Sequence, residues 1–293
     1  MKQSTKRLPR TTRPLTDIPF VFESYRDLTL KLGAVDGHAA SLSLAAMFFS
    51  EQSRQQADDQ ALGLSLAEKY KVSTRFIDLN NLPAHLHQLL IVGTTRNWEE
   101  FLVRFRREQL ALGNLWRPRD DDEDRLSHVL DCLSGQKSEN IDRIGRERYD
   151  LLHYYRLVRN AAAHEPEKSA RLDQNFKKIE PLRELVSREY GLDAPNPFPE
   201  TKFDDHMLYT RVAKYVATDL CRLAPPVTFL GFQKVLTDRT NFTFEPTFIL
   251  RHKASEVKLR KALCGFLQQH YNFRLDLHPE LLEELRSRLI TSK

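Results

Sequence analysis

Apolar residues recur three or four positions apart along most of this chain, and this spacing constrains the fold more than any other feature. In the clearest stretch, residues 140–164, one apolar stripe is formed by Ile144, Leu151, Tyr155, Val158 and Ala162. A half-buried strand would instead alternate apolar and polar residues. The chain also has only 10 glycines in 293 residues, which disfavours an architecture built on tight turns. We therefore predict an all-α protein.

Helical spacing and helix-ending residues divide the chain into successive helices. Pro83 suits the first turn of a helix, Pro166 ends one, and Pro225 follows another. One long helix or a kinked pair is expected over residues 82–113. The other predicted helices are 18–32, 39–49, 58–70, one that follows the acidic run 120–124 and extends through 133, 140–164, one from about 166 to 190, 203–223, 255–270 and 279–290.

These helices are expected to form three consecutive segments. Residues 1–81 combine a basic arm with an N-terminal helical layer, residues 82–224 form the central helical domain, and residues 225–293 form a C-terminal helical extension. The apolar stretches fall well short of the ~20 residues that a bilayer span needs. We therefore expect a cytoplasmic protein that does not cross a membrane.

The cysteines and glycines argue against a bound metal or cofactor. Cys132, Cys221 and Cys264 lie far apart, without metal-ligand spacing or a disulfide framework. The chain has no Walker A and no dinucleotide-binding glycine motif. We expect free thiols in a reducing compartment, no metal site and no cofactor.

The basic balance of the chain is compatible with RNA as a partner. The formal net charge is +5, which permits nucleic-acid binding without establishing it. Arg104, Arg106 and Arg107 surround Phe105, a mixture of basic and aromatic side chains that suits RNA phosphates and bases. A solvated helix face with its aromatic residue in the core is the other interpretation of this run.

The most informative cluster is the segment YYRLVRNAAAHEPE, which ends one predicted helix. A metal-independent ribonuclease needs a group that titrates near neutral pH and a fixed cation that stabilises charge on the phosphate. His164 and Arg159 supply these groups, and Asn160 lies four residues before His164 on the same helix face. Arg156, one turn earlier, extends the polar strip. A purely structural interpretation stays open, in which Arg159 and His164 satisfy carbonyls at the helix end.

These residues resemble the motif of the HEPN family, which has Arg, a polar residue and then His a few positions later. A second similarity is the upstream segment WEEFL, with Trp98, Glu99 and Phe101. The loose Arg-to-His spacing also occurs from Arg146 to His153 and from Arg148 to His153, without the following Asn. The resemblance covers residues 82–224 and implies a HEPN-like antiparallel helical bundle with N- and C-terminal helical extensions.

The resemblance also implies an activity and a partner. Family members typically form homodimers whose motif helices face one cleft, and they cleave RNA without metal through attack of the ribose 2′-OH. It implies that His164 transfers protons, that Arg159 contacts the phosphate and that Asn160 orients groups by hydrogen bonding. It also implies that Glu99 is a polar partner near the cleft and that Arg156 is a supporting residue.

The family resemblance leaves two functions open. The first is an endoribonuclease of the toxin or anti-phage kind, with an antitoxin or other regulatory protein as a further partner. The second is a catalytically inactive scaffold that binds RNA or a protein through the same cleft. Pro166 stands where nucleotidylated family members carry Tyr, so control through that tyrosine is not expected.

Overall fold

The computed structural model describes residues 20–55, 60–73, 78–163, 169–224, 251–252 and 255–291. Within these residues the regular elements are α-helices and 3-10 helices, and no strand occurs. The prediction of an all-α protein is confirmed for this part of the chain. His164, the N-terminal basic arm and residues 225–250 lie outside the described residues.

The helices follow the predicted order with several differences in their bounds. Short 3-10 helices cover Glu180–Leu182 and Leu275–Leu277. The α-helices are α1 (Glu23–Arg54), α2 (Ala61–Tyr70), α3 (Leu82–Ala111), α4 (Arg125–Cys132), α5 (Lys137–Ile144), α6 (Arg146–Ala163), α7 (Ser169–Ile179), α8 (Arg183–Tyr190), α9 (Phe203–Leu223), α10 (Glu256–Tyr271) and α11 (Pro279–Thr291).

The described residues form two compact units, each assembled from separate stretches of chain. The first unit contains those between 30 and 98 and between 145 and 214. The second contains those between 20 and 29, between 99 and 144, and between 215 and 291. The division into three consecutive segments, 1–81, 82–224 and 225–293, stays a prediction.

Helix α1 is continuous where the sequence predicted two helices, 18–32 and 39–49. It passes through Gly33 and Gly37, and an added Cβ at either glycine would meet nothing within 4 Å. Glycine weakens a helix without ending it, because its N–H and C=O still form the backbone ladder. The prediction of two separate helices was wrong for this reason.

By length and composition alone, α1 is also the one helix in the described residues that is able to span a membrane. Its most apolar 18-residue window has a mean hydropathy of 1.3, and 22% of that window is buried. Core helices of soluble proteins and N-terminal signal sequences pass the same test, so a single such helix is weak evidence. The absence of a membrane crossing and the cytoplasmic location stay predictions.

Helix α3 is a single helix, and four of its large apolar side chains are buried. Trp98, Phe101, Leu102 and Phe105 are each at most 5% exposed. On the same helix His85 is exposed while His87 is buried. His87 lies 2.9 Å from Ser43 Oγ through Nε2, and burial lowers its pKa. The two histidines therefore point to different faces of α3.

The predicted helix 140–164 is divided at Gly145 into α5 and α6. Gly145 has φ +88°, a left-handed conformation that no residue inside a helix adopts. The prediction of one unbroken helix was wrong. The apolar residues keep their helical spacing on both sides of Gly145, but the positive φ of this glycine ends the helix. Ile144 is fully buried at the end of α5, while Ala162 in α6 is half-exposed.

The single helix predicted from about 166 to 190 is also divided. Pro181 lies in the 3-10 helix Glu180–Leu182, which separates α7 from α8. Proline has no N–H to continue the hydrogen-bond ladder, so the α geometry is interrupted there.

Asp124, at the end of the acidic run 120–124, caps α4 by accepting a 3.0 Å hydrogen bond from Ser127 N.

Candidate functional site

Helix α6 carries the predicted motif, and two adjacent tyrosines anchor its buried face within the first unit. Tyr154 Oη donates a 2.7 Å hydrogen bond to the Asn196 carbonyl, and Tyr155 Oη donates a 2.9 Å bond to Asp205 Oδ1. The Tyr155 ring also stacks on Tyr209, with centroids 5.1 Å apart. Because both tyrosines are at most 1% exposed, these contacts fix the rotation of α6 about its axis.

Asp205 is the polar centre of this anchor and is fully buried. Besides the Tyr155 hydroxyl, its carboxylate accepts hydrogen bonds from Asn196 N at 2.8 Å, Asn196 Nδ2 at 2.8 Å and Lys202 N at 2.9 Å. A buried carboxylate is tolerated when donors surround both oxygens. The cluster ties α6 and the first turn of α9 to the loop between α8 and α9.

Burial shifts the pKa values of Asp205 and Tyr155, the two titratable partners in this anchor. Burial raises the pKa of the Asp205 carboxyl, although the four hydrogen bonds act in the opposite direction. Burial also raises the pKa of Tyr155 well above 10, and the neighbouring Asp205 charge adds to that shift. The tyrosine hydroxyl therefore remains a donor at neutral pH, which suits a structural role.

The opposite side of α6 carries the predicted polar strip, and its members are half-exposed. Arg159 Nη1 donates a 2.9 Å hydrogen bond to Asn160 Oδ1. Arg156 Nη2 lies 3.3 Å from His153 Nδ1. Among the described residues, Arg159 forms no ion pair with a carboxylate. Its guanidinium therefore keeps donors available for a negatively charged ligand.

The predicted proton-transfer residue immediately follows this helix in the chain. Helix α6 ends at Ala163, and His164 lies outside the described residues. The geometry described for the motif is therefore that of Arg159 and Asn160, with Arg156 one turn earlier. The role of His164 stays a prediction.

The upstream part of the motif lies on α3. Trp98 is 5% exposed, which agrees with a core role for this aromatic residue. Glu99 is half-exposed and belongs to the second unit, whereas Arg159 and Asn160 belong to the first. The role of Glu99 as a polar partner of the motif stays a prediction.

The three predicted RNA-binding arginines of α3 have different surroundings within the second unit. Arg104 forms an ion pair with Asp27, so part of its charge is compensated. Arg106 and Arg107 instead line a small pocket. The three arginines lie close together in the sequence. In the structure, however, Arg104 is paired with a carboxylate, whereas Arg106 and Arg107 line an open pocket.

A second cavity lies along α6 and contains a histidine that sequence reasoning set aside. Its volume is about 210 Å³, and its lining includes Asp150, His153 and Lys178. Burial raises the pKa of Asp150. The only sequence signal for His153 was the loose Arg-to-His spacing from Arg146 and from Arg148. The Asp205 anchor had no sequence signal, because Tyr155, its partner on α6, lies 50 positions earlier in the chain.

Metal ligation and reactive thiols find no support in the described residues. No group of three or more His, Cys, Asp or Glu side chains there is placed to hold a metal ion. Cys132, Cys221 and Cys264 are free thiols, and Cys221 is fully buried. Burial raises the pKa of all three cysteines, which disfavours the reactive thiolate.

The chain was compared with protein-family models, with curated proteins and with solved structures. None of the three comparisons gives a significant match. The resemblance to the HEPN family therefore rests on the motif residues of α3 and α6 and on the helical character of the chain.

Proposed function

We propose that this chain is a metal-independent endoribonuclease with a HEPN-like helical bundle. The observation that carries the proposal is the arrangement on α6. Arg159 and Asn160 form a half-exposed polar pair, and no described carboxylate neutralises Arg159. The other side of the helix is held rigidly by Tyr154 and Tyr155. A cation held on a rigid element is suited to stabilise charge that develops on a phosphate.

The proposed reaction is an internal transesterification of RNA. His164 removes the proton from a ribose 2′-OH, and the 2′-oxygen forms a bond to the adjacent phosphorus. The bond from phosphorus to the 5′-oxygen breaks, and that oxygen receives the proton that His164 removed. The products carry a 2′,3′-cyclic phosphate and a 5′-hydroxyl. Arg159 stabilises the added charge on the phosphate oxygens, and Asn160 orients the Arg159 side chain.

The proposal includes a homodimer whose two α6 helices share one cleft. Arg159 and His164 are about 140° apart around an ideal helix, so a single helix does not easily aim both at one phosphate. A second copy of the chain supplies the missing group from the facing helix. Arg156 is assigned a supporting role in this cleft.

The reaction is tested with purified full-length protein and a ribonucleotide oligomer in excess chelator. The expected result is cleavage that chelator leaves unchanged and that yields 2′,3′-cyclic phosphate ends. A matched oligomer with a 2′-O-methyl group at the cleaved position lacks the nucleophile and is expected to stay intact. Cleavage that chelator abolishes, or cleavage of the methylated oligomer at the same position, would contradict the proposed chemistry.

The proposed biological role is that of a toxin or anti-phage effector that stops growth by cutting cellular RNA. Induced expression of the wild-type chain in bacteria is expected to arrest growth with fragmentation of total RNA. Arg159→Ala is expected to abolish both effects at equal protein level. RNA binding without cleavage by the wild-type chain would instead support the inactive scaffold as its function.

A further inference from the structure

A basic pocket in the second unit is distinct from the α6 motif in residues and in chemistry. It lies between the last turns of α3 and one face of α4, with a volume of about 170 Å³. Three aliphatic side chains form its apolar wall. The polar lining consists of Arg106, Arg107, Arg119, Arg125 and His128. No carboxylate lines the pocket among the described residues.

The arginines of this pocket are uncompensated, unlike the paired arginines of the same unit. Arg104 pairs with Asp27, and Arg117 pairs with Glu123 and Asp131. In contrast, the side chains of Arg106, Arg107 and Arg125 form no hydrogen bond or ion pair with any described residue. Arg106 Nε is buried without an acceptor. A buried donor without an acceptor is unfavourable, and an anion in the pocket would satisfy it.

The remaining polar residues of the pocket are fixed by neutral partners. Arg119 Nη1 donates hydrogen bonds to the carbonyl oxygens of Asp121 at 3.0 Å and of Glu123 at 2.5 Å. His128 is 1% exposed, and its Nε2 lies 3.0 Å from the Arg117 carbonyl oxygen. Because carbonyl groups carry no net charge, Arg119 is oriented without losing its positive charge.

The volume and charge of the pocket indicate which kind of ligand fits it. Pockets for whole small molecules typically measure ~300–1,000 Å³, so this one suits a single small group with the rest of the ligand outside. Guanidinium forks match the oxygens of a phosphate in charge and geometry. A terminal phosphate with two negative charges compensates this lining better than a singly charged diester.

We propose that the pocket between α3 and α4 binds a terminal phosphate monoester, carried by an RNA 5′ end or by a free nucleotide. The site goes beyond the proposed nuclease centre, because none of its residues belongs to the α6 motif. It provides a function for Arg106 and Arg107 that the sequence run alone does not define.

The test measures binding of a fluorescent 2′-O-methyl oligonucleotide, which the proposed nuclease cannot cleave, to the full-length protein. The labelled strand is compared with and without a 5′-phosphate. We expect the phosphorylated strand, or adenosine monophosphate as a competitor, to bind roughly tenfold or more tightly than its unphosphorylated counterpart. Competition by adenosine monophosphate identifies a nucleotide-type ligand, whereas a preference seen only with the strand identifies an RNA end.

Matched substitutions connect the preference to the pocket. Arg106→Gln combined with Arg125→Gln is expected to abolish the 5′-phosphate preference. Arg143→Gln combined with Arg188→Gln removes two charges from exposed positions on α5 and α8 and is expected to retain it. The double variant is also expected to melt at or above the wild-type temperature without phosphate, because it removes repulsion between like charges.

Two results would overturn the pocket proposal without bearing on the nuclease centre. The first is equal affinity of the wild-type protein for phosphorylated and unphosphorylated ligands of both kinds. The second is a preference that survives in a folded Arg106→Gln/Arg125→Gln variant. Cleavage of an internal ribonucleotide bond is measured separately, so failure of one proposal remains distinguishable from failure of the other.

Discussion

Glu108 is a buried carboxyl group on α3 that forms no ion pair with any described residue. The residue is 6% exposed, and burial raises the pKa of its carboxyl group from 4.5 to about 7. Ser24 donates hydrogen bonds from its backbone N at 2.9 Å and from Oγ at 2.5 Å, which moderates the shift. The group therefore changes its protonation state between mildly acidic and neutral pH.

This shift predicts a pH dependence of the free energy of unfolding. Because the pKa is higher in the folded state, that state binds more protons, and stability falls as pH rises from 4.5 to about 7. The total loss is about 3 kcal/mol. Denaturant unfolding at about pH 5 and about pH 8 measures most of this loss.

The control for this pH dependence is Glu108→Gln, which does not titrate. Its amide oxygen accepts the bond from Ser24 N, and the Ser24 hydroxyl is able to rotate and accept from the amide NH2. The variant is expected to lose most of the fall in stability between the two pH values. An equal fall in wild type and variant would show that other groups cause it.

Asp205 is expected to matter more for stability than its partner Tyr155. In Asp205→Asn an amide NH2 replaces one oxygen and faces donors that cannot become acceptors, such as Lys202 N. We expect a loss of about 2–4 kcal/mol. Tyr155→Phe removes one hydrogen bond and is expected to cost about 1 kcal/mol. Urea unfolding of both variants checks this order, and equal losses would argue against Asp205 as the centre of the anchor.

At the scale of elements, Gly145 determines where α5 ends and α6 begins. Its φ of +88° disfavours any residue with a Cβ. Gly145→Ala is expected to lower stability by about 1–2 kcal/mol. Gly37→Ala, at an exposed position inside α1, is the control and is expected to raise stability by up to about 1 kcal/mol. Thermal unfolding measures both, and a stabilising Gly145→Ala would contradict the assignment of the break.

The sequence predicted the helical class and most buried faces, because periodic apolar spacing is a local signal. The buried Trp98 and Phe105 of α3 illustrate this success. Helix ends were predicted less well. Gly33 and Gly145 are both glycines in apolar periodic stretches, yet one continues a helix and the other ends one. The difference depends on backbone dihedral angles that tertiary packing selects, and periodicity does not encode them.

In the candidate site, too, the sequence predicted only what a local pattern encodes. Arg159 and Asn160 were predictable because they are adjacent on one helix. The role of Asp205 was not, because Tyr155 precedes it by 50 positions and no local pattern joins them. Likewise, the sequence does not distinguish Arg104, which pairs with Asp27, from Arg106, which lines the basic pocket.

At the scale of the whole molecule, the proposed shared cleft predicts that activity depends on a homodimer. Light scattering at working concentration is expected to give twice the chain mass of 34.2 kDa. Mixing inactive Arg159→Ala with inactive His164→Ala is expected to restore part of the activity, because a mixed dimer regains one complete site. A monomeric protein that is fully active would contradict the shared cleft.

In the proposed reaction, Arg159 and His164 act together on a phosphodiester. The most direct measurement is the chelator-resistant RNA cleavage rate of wild type, Arg159→Ala and His164→Ala. The control is Arg188→Ala, which removes an exposed arginine of α8. We predict that the first two variants fold normally and lose at least about a hundredfold in rate, while the control keeps the wild-type rate. Equal cleavage by all four proteins would contradict the assignment of the nuclease to this site.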